Sequence, residues 1–295
     1  MVPRTVHPSR DDTVGSSVVM VPEDVEAVTQ PDGTTTIVRH WRSSQPALAR
    51  VVVLHGLGEH SGRYARTGSI LANMGLDVQA PDLRGFGASS GPRGRVTRID
   101  DWLDDAARII EGIRSAKDGR AIALLGHSMG GLLATLYAES ERPAPDLMVL
   151  DAPAIATRRS RVERLSLHAA AVFVPDREMK GRFDGALLSR DSSVGVAFEG
   201  DPLNHLPLAF RLADQLLSAQ RIARRNLDHL TLPTLVTHGE DDPIVPVDVS
   251  RLLLQLPNVE RRVYPGLRHE TFNEPEGPEV VADIGRWMIA RLPSR

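Results

Sequence analysis

Gly126-His127-Ser128-Met129-Gly130, followed by Gly131, fits the pattern G-x-S-x-G. The pattern has chemical meaning where a strand ends and a helix begins. There the small flanking residues let the backbone turn sharply, so the serine hydroxyl stands clear of the sheet edge. A serine hydroxyl is a weak nucleophile until a neighbouring base takes its proton. Ten histidines are available. His269 lies in Gly266-Leu267-Arg268-His269-Glu270, between an apolar strand pattern and the last helical pattern. That position is at the carboxyl end of a sheet, where open α/β folds bind ligands. His168, His205 and His229 fall in the stretch 152–230, where a histidine is more often a surface residue, and His238 ends a strand and reads as packed or hydrogen-bonded locally.

The base needs a carboxylate to orient it and to stabilise its cation. His238-Gly239-Glu240-Asp241-Asp242-Pro243-Ile244-Val245 offers three. The form Gly-x-x-Asp before a hydrophobic pair selects Asp242. Asp241 is the near alternative and Asp151 the distant one. The chain order is then serine, acid, histidine. Attack of Ser128 on a carbonyl would place negative charge on its oxygen, which backbone N–H groups can receive. Met129, after the nucleophile, supplies one. His55-Gly56-Leu57-Gly58 supplies the second through Leu57, its glycines allowing close approach.

These residues require a scaffold, and the periodicity describes one. Thr35 to Trp41 alternates like an antiparallel edge strand. Val51 to His55 is a continuous apolar run, as in a strand covered on both faces. Helical spacing follows from Arg63 to Met74, with Gly75 at the C-terminal cap. Asp77 to Ala80 reads as a strand, and Asp100 or Asp101 as the cap of a helix burying Trp102, Ala106, Ile109, Ile110 and Ile113. Ala121 to Leu125 is a strand, Ser128 to Glu139 a helix, and Leu147 to Leu150 a strand. The alternation lapses over 152–230. It resumes with a strand at Thr234 to His238, a helix near Val249 to Leu256, a strand at Arg261 to Tyr264 and a helix from Pro278 to Leu292. Alternation of this kind predicts a mostly parallel sheet with helices on both faces. The division expected is a flexible N-terminus over 1–15, a core from 16–151 and 231–295, and a helical insertion at 152–230.

Composition removes several classes of function. A formal net charge of -3 lacks the concentrated basic surface that nucleic acid needs. The absence of cysteine removes disulfides, thiolate nucleophiles and thiolate metal sites. No apolar run is long enough for a signal peptide or a membrane span. The chain reads as soluble and cytoplasmic, with no expectation about its oligomeric state.

His55-Gly56-Leu57-Gly58-Glu59-His60-Ser61-Gly62-Arg63-Tyr64 resembles the oxyanion loop of the monoacylglycerol lipases and related lysophospholipase-like hydrolases, with a serine aminopeptidase S33-type domain. Asp82-Leu83-Arg84-Gly85-Phe86-Gly87 resembles that family's next loop, which more often has histidine at the position of Phe86. Phe198-Glu199-Gly200-Asp201-Pro202-Leu203 resembles part of its cap. The likeness runs from about residue 24 to 292. It implies the α/β-hydrolase fold with a helical cap insertion, and the triad Ser128, Asp242 and His269. The activity it implies is cofactor-free, metal-free hydrolysis of a small ester or monoacylglycerol through an acyl-enzyme. It further implies a glycerol end bound near Gly56, Glu59 and His60, and a cap in transient, peripheral contact with a membrane. Leu165 to Val174 would then line an acyl tunnel or form an ordinary buried cap helix. Lysophospholipase, thioesterase and peptidase activities share this machinery, and a catalytically silent ligand-binding member is the non-enzymatic alternative. Epoxide hydrolases and dehalogenases of this fold use an aspartate nucleophile, which Ser128 argues against.

Overall fold

A computed structural model describes residues 18–179 and 184–292; the N-terminus expected to be flexible lies outside them. The strands are β1 (Glu23–Thr29), β2 (Thr35–Trp41), β3 (Ala49–Leu54), β4 (Leu76–Pro81), β5 (Ala121–His127), β6 (Leu147–Asp151), the short β7 (Glu178–Met179) and β8 (Leu208–Ala209), β9 (Thr234–Gly239) and β10 (Val259–Tyr264). The helices are α1 (Ala65–Asn73), α2 (Ile99–Ser115), α3 (Met129–Ala138), α4 (Arg161–Phe173), α5 (Ser192–Gly200), α6 (Phe210–Arg225) and α7 (Gly277–Ile289).

Eight strands form one sheet in the order β1-β2-β4-β3-β5-β6-β9-β10. From β4 to β10 every pairing is parallel, whereas β1 with β2 and β2 with β4 are antiparallel. The fold is therefore that of the α/β-hydrolases, as expected. The central strands are apolar throughout because both faces are covered. Along β3, Val51 and Val53 join a core with α1 and α7, while Val52 and Leu54 join one with α2, α3 and α6. This is the period of two expressed as two separate cores.

Three local expectations are corrected. The strand at 35–41 is not the edge, because β1 lies outside it. β1 is exposed at nearly every position, so its residues carry no inward-outward alternation to betray it. Neither Asp100 nor Asp101 is the cap of α2. Arg98 occupies that position, and Asp101, at the third position, accepts from the Arg98 N–H at 3.0 Å. An aspartate in that position still favours the positive helix end. The segment near Val249 to Leu256 forms 3-10 turns over Val249–Gln255 rather than an α-helix. Gly75, at φ 89°, follows the last turn of α1, where only a left-handed residue lets the chain reverse into β4.

Candidate active site

Ser128 joins β5 to α3 in a conformation few non-glycine residues adopt, φ 52° and ψ -112°. Its neighbours fix that turn. Its N–H donates to the Asp151 carbonyl at 2.9 Å, and its own carbonyl accepts from Leu132 at 3.1 Å and Ala154 at 3.0 Å. A Cβ on Gly126 would overlap the Gly130 carbonyl, and one on Gly130 would overlap the Leu54 carbonyl. The flanking glycines are thus demanded by backbone crossing backbone.

His269 arrives on the loop after β10, and Asp242 on the loop after β9. The imidazole Nε2 lies 2.9 Å from Ser128 Oγ, and Nδ1 lies 2.7 Å from Asp242 Oδ2. A carboxylate can only accept, so Nδ1 carries the proton and Nε2 is left to accept from the serine hydroxyl. The other carboxylate oxygen accepts from the N–H groups of Ile244 at 2.8 Å and Val245 at 2.9 Å. Burial opposes ionisation of Asp242. Electrostatic attraction to the His269 ring and the hydrogen bonds of His238 and His269 outweigh it and hold the carboxyl well below its ordinary value. His238 donates from Nε2 to the Val245 carbonyl at 2.8 Å and to Asp242 at 3.1 Å, the local role read from sequence. Asp241 is exposed.

The loop after β3 is organised by a residue that the resemblance had placed near substrate. The Glu59 carboxylate accepts from the Gly56 N–H at 2.5 Å, the Tyr64 hydroxyl at 2.8 Å and Arg63 at 2.7 Å. Its oxygens are committed to protein donors, although the side chain does border the cavity at Ser128. Burial pushes the Glu59 carboxyl up, and the charges of Arg63, His127 and His55 pull it further down. His60 stands apart from that cavity. It donates from Nε2 to Asp201 at 2.8 Å and accepts from the Gly62 N–H at 3.1 Å. It therefore ties this loop to the segment after α5. Gly56 does border the cavity, and a Cβ there would stand 2.8 Å from Glu59 Oε1.

Asp151, His127, Thr237 and Thr271 form a further buried set that sequence reasoning did not bring together. The distant acid candidate, Asp151, turns away from His269. It accepts from His127 Nδ1 at 2.8 Å and from the hydroxyls of Thr237 and Thr271, both at 2.8 Å. His127 could have been suspected from its place beside Ser128, but nothing local predicts its partner on another strand. Phe86, where the family often has histidine, is fully buried edge-on to His55 at 6.0 Å. His55 in turn donates to the Gly56 carbonyl at 2.7 Å and accepts from the Leu83 N–H at 2.9 Å. The substitution thus falls in the core beneath the loop after β3.

The cavity beside Ser128 has a volume of about 350 Å³. Leu57 and Met129 border it together with Ser128 and His269, and its far walls are apolar, including Leu132, Phe198, Leu206, Leu216 and Ile244. Helix α4 is absent from this lining. Of its residues only Leu167 is buried, while Leu165 is 70% and Phe173 83% exposed. Leu165 to Val174 is therefore neither a tunnel wall nor a buried helix. The wall comes from α5, α6 and the loops around them.

The sequence pattern described as "Serine aminopeptidase, S33" matches residues 45–276. The chain belongs to this hydrolase family. As an S33 hydrolase it is 33% identical to the monoacylglycerol lipase of Mycolicibacterium smegmatis over 269 residues, 88% of this chain and 95% of that one. The crystal structure of the Paleococcus ferrophilus monoacylglycerol lipase matches this S33 hydrolase with a TM-score of 0.75 and 28% identity, covering 86% of this chain and 98% of that one. The monoglyceride lipase of Saccharomyces cerevisiae shares the fold with a TM-score of 0.84 and 21% identity, covering 95% and 99%. This S33 hydrolase is a serine ester hydrolase.

Proposed function

We propose that the protein hydrolyses monoacylglycerols and similar esters of a single acyl chain, with Ser128 as nucleophile, His269 as base and Asp242 as its orienting acid. The observation that carries this reading is the unbroken hydrogen-bonded line from Asp242 through His269 to Ser128, beside an apolar cavity. Ser128 Oγ attacks the ester carbonyl as His269 Nε2 takes its proton. The Leu57 and Met129 N–H groups receive the developing oxyanion. The bond to the alcohol oxygen breaks, His269 returns the proton to that oxygen, and the acyl group remains on Ser128. Water then attacks the acyl-enzyme, giving its proton to His269, and the acid leaves as Ser128 is reprotonated.

A peptidase reading follows from the name of the family pattern. An aminopeptidase needs an unpaired carboxylate to hold the substrate's ammonium group. The carboxylates bordering the cavity among the described residues are Glu59 and Glu270, and both are bound to Arg63. The ester reading is therefore favoured. The test is a panel of monoacylglycerols, nitrophenyl esters, lysophospholipids, thioesters and aminoacyl anilides, with wild type and Ser128→Ala. Single-chain glycerol esters are expected to turn over fastest, and the variant to lose roughly 10³-fold or more in kcat. Equal rates for both proteins would remove Ser128 from the mechanism.

The helical segment 152–230 acts in this reading as a cap whose α4 meets lipid. Val162, Leu165, Val172 and Phe173 are exposed on a helix that also carries Arg161 and Arg164, a composition suited to an anionic interface. Sedimentation with anionic vesicles is expected to retain the wild type and to release a Leu165→Ser/Phe173→Ser variant. Unchanged retention would contradict it. Among the described residues no helix is long and apolar enough to cross a membrane.

A further inference from the structure

A second cavity, of about 400 Å³, lies between the start of α2, the end of α3 and the outer face of α6. Its size is within the range of small-molecule sites. Ile99, Leu103, Leu136 and Ile222 give it apolar walls. Glu139, the C-terminal cap of α3, borders it with both carboxylate oxygens buried and unpartnered. Gln215 of α6 presents a second buried acceptor. Its Nε2 donates to the Thr97 carbonyl at 2.7 Å, which fixes the amide, and its Oε1 is left without a partner.

Buried acceptors without donors are costly and uncommon. Glu139 also sits at the negative end of a helix, the wrong place for an anion. Among the described residues bordering the cavity, each of the other charged side chains is already matched. On α2, Arg98 pairs with Asp101 at 3.0 Å, and Asp100 with Arg142 at 2.9 Å. Beyond α3, Arg142 also pairs with Asp104 at 2.6 Å, and on α6 Asp214 pairs with His168 at 3.0 Å. Burial alone raises the Glu139 carboxyl to about 8. The cavity therefore offers a greasy wall and three acceptor atoms, and no free cation to meet them.

We propose that this cavity binds small organic amines, with a primary ammonium group donating to Glu139 and Gln215 and an apolar stem against Leu103, Leu136 and Ile222. The ammonium supplies three donors, matching the three unpartnered oxygens. The site is separate from the ester cavity. The two lie on different faces of α6, where Gln215 and Ala219 border one and Leu216 and Gln220 the other.

The test is calorimetric titration of the intact protein with hexylammonium, and with hexanol as an uncharged control, at pH 6 and pH 9. Ammonium binding must displace the Glu139 proton at pH 6 and not at pH 9. Affinity is therefore expected to be at least tenfold higher at pH 9, with hexanol weaker than hexylammonium. Glu139→Gln, close in shape to the neutral acid, is expected to bind hexylammonium at least tenfold more weakly at pH 9. Three results would overturn the proposal. One is no binding at either pH, so that the cavity holds water alone. Another is an affinity independent of pH and unchanged in Glu139→Gln. The third is competition by an ester-cavity ligand such as a short-chain alcohol ether of glycerol, which would place the amine beside Ser128.

Discussion

The imidazole of His127 packs against that of His269, ring centroids 4.8 Å apart and planes inclined at 53°. Burial works against a charge on His127. The hydrogen bond and charge of Asp151, with Glu59 and Glu270 beyond, outweigh it and push the group up to about 9. A buried cation thus stands beside the proposed base, and Asp151 holds it there. Because the folded value lies above that of an ordinary imidazole, this contribution to stability is complete below about pH 6.5 and is lost as pH rises through about 9.

Asp151→Asn should therefore destabilise the protein by about 3–5 kcal/mol at neutral pH, the usual cost of stripping one partner from a buried pair. Urea unfolding measures the loss, and proton resonance of the His127 ring should show it deprotonating at lower pH. A change below about 1 kcal/mol would mean that solvent reaches the pair and screens it.

Glu59 fixes the loop after β3 by holding the Gly56 N–H, and since that loop supplies an oxyanion donor in the proposed mechanism, its replacement should act on rate. Glu59→Gln keeps the volume but loses the charge that anchors Arg63 and faces Tyr64. A donor shifted by about 1 Å costs on the order of 100-fold, so kcat is expected to fall by roughly 10- to 100-fold with KM little changed. A rise in KM at constant kcat would return Glu59 to the glycerol-binding role that the family resemblance implied.

Glu139 gives a test in stability alone. Its folded value is raised to about 8 from 4.5, so the folded state holds a proton that the unfolded chain releases between those values. Stability conferred by that proton is present at pH 4 and fades as pH climbs through 8. Glu139→Gln should match the wild type near pH 4 and exceed it at pH 9 by on the order of 1 kcal/mol, the figure being small because solvent reaches part of the group. Denaturation midpoints across that range decide it, and parallel curves would show that Glu139 is ionised in the fold.

The proposed catalytic line was legible in sequence because each of its residues sits at or just beyond a strand end marked by local signals. Glycines too close to other backbone to bear a Cβ flank Ser128, an aspartate pair follows β9, and Gly266 opens the loop after β10. What stayed hidden was long-range. The His127–Asp151 pair joins two neighbouring strands, and Glu59 and Arg63 are knitted to Glu270 across 207 positions. No spacing encodes such partners. β1 escaped because a strand whose residues nearly all face solvent has no periodic burial. Helix α4 misled for the opposite reason, since its apolar residues suggested burial while its packing leaves most of them outside.

Ser128 and His269 stand 141 positions apart in the chain and meet only where β5 and β10 run in the same direction within one sheet. A polypeptide emerging from the ribosome thus carries its hydroxyl long before it owns the ring that arms it. In the proposed mechanism the hydroxyl has no base until β10 has joined the sheet, so a chain lacking that strand is expected to leave esters intact.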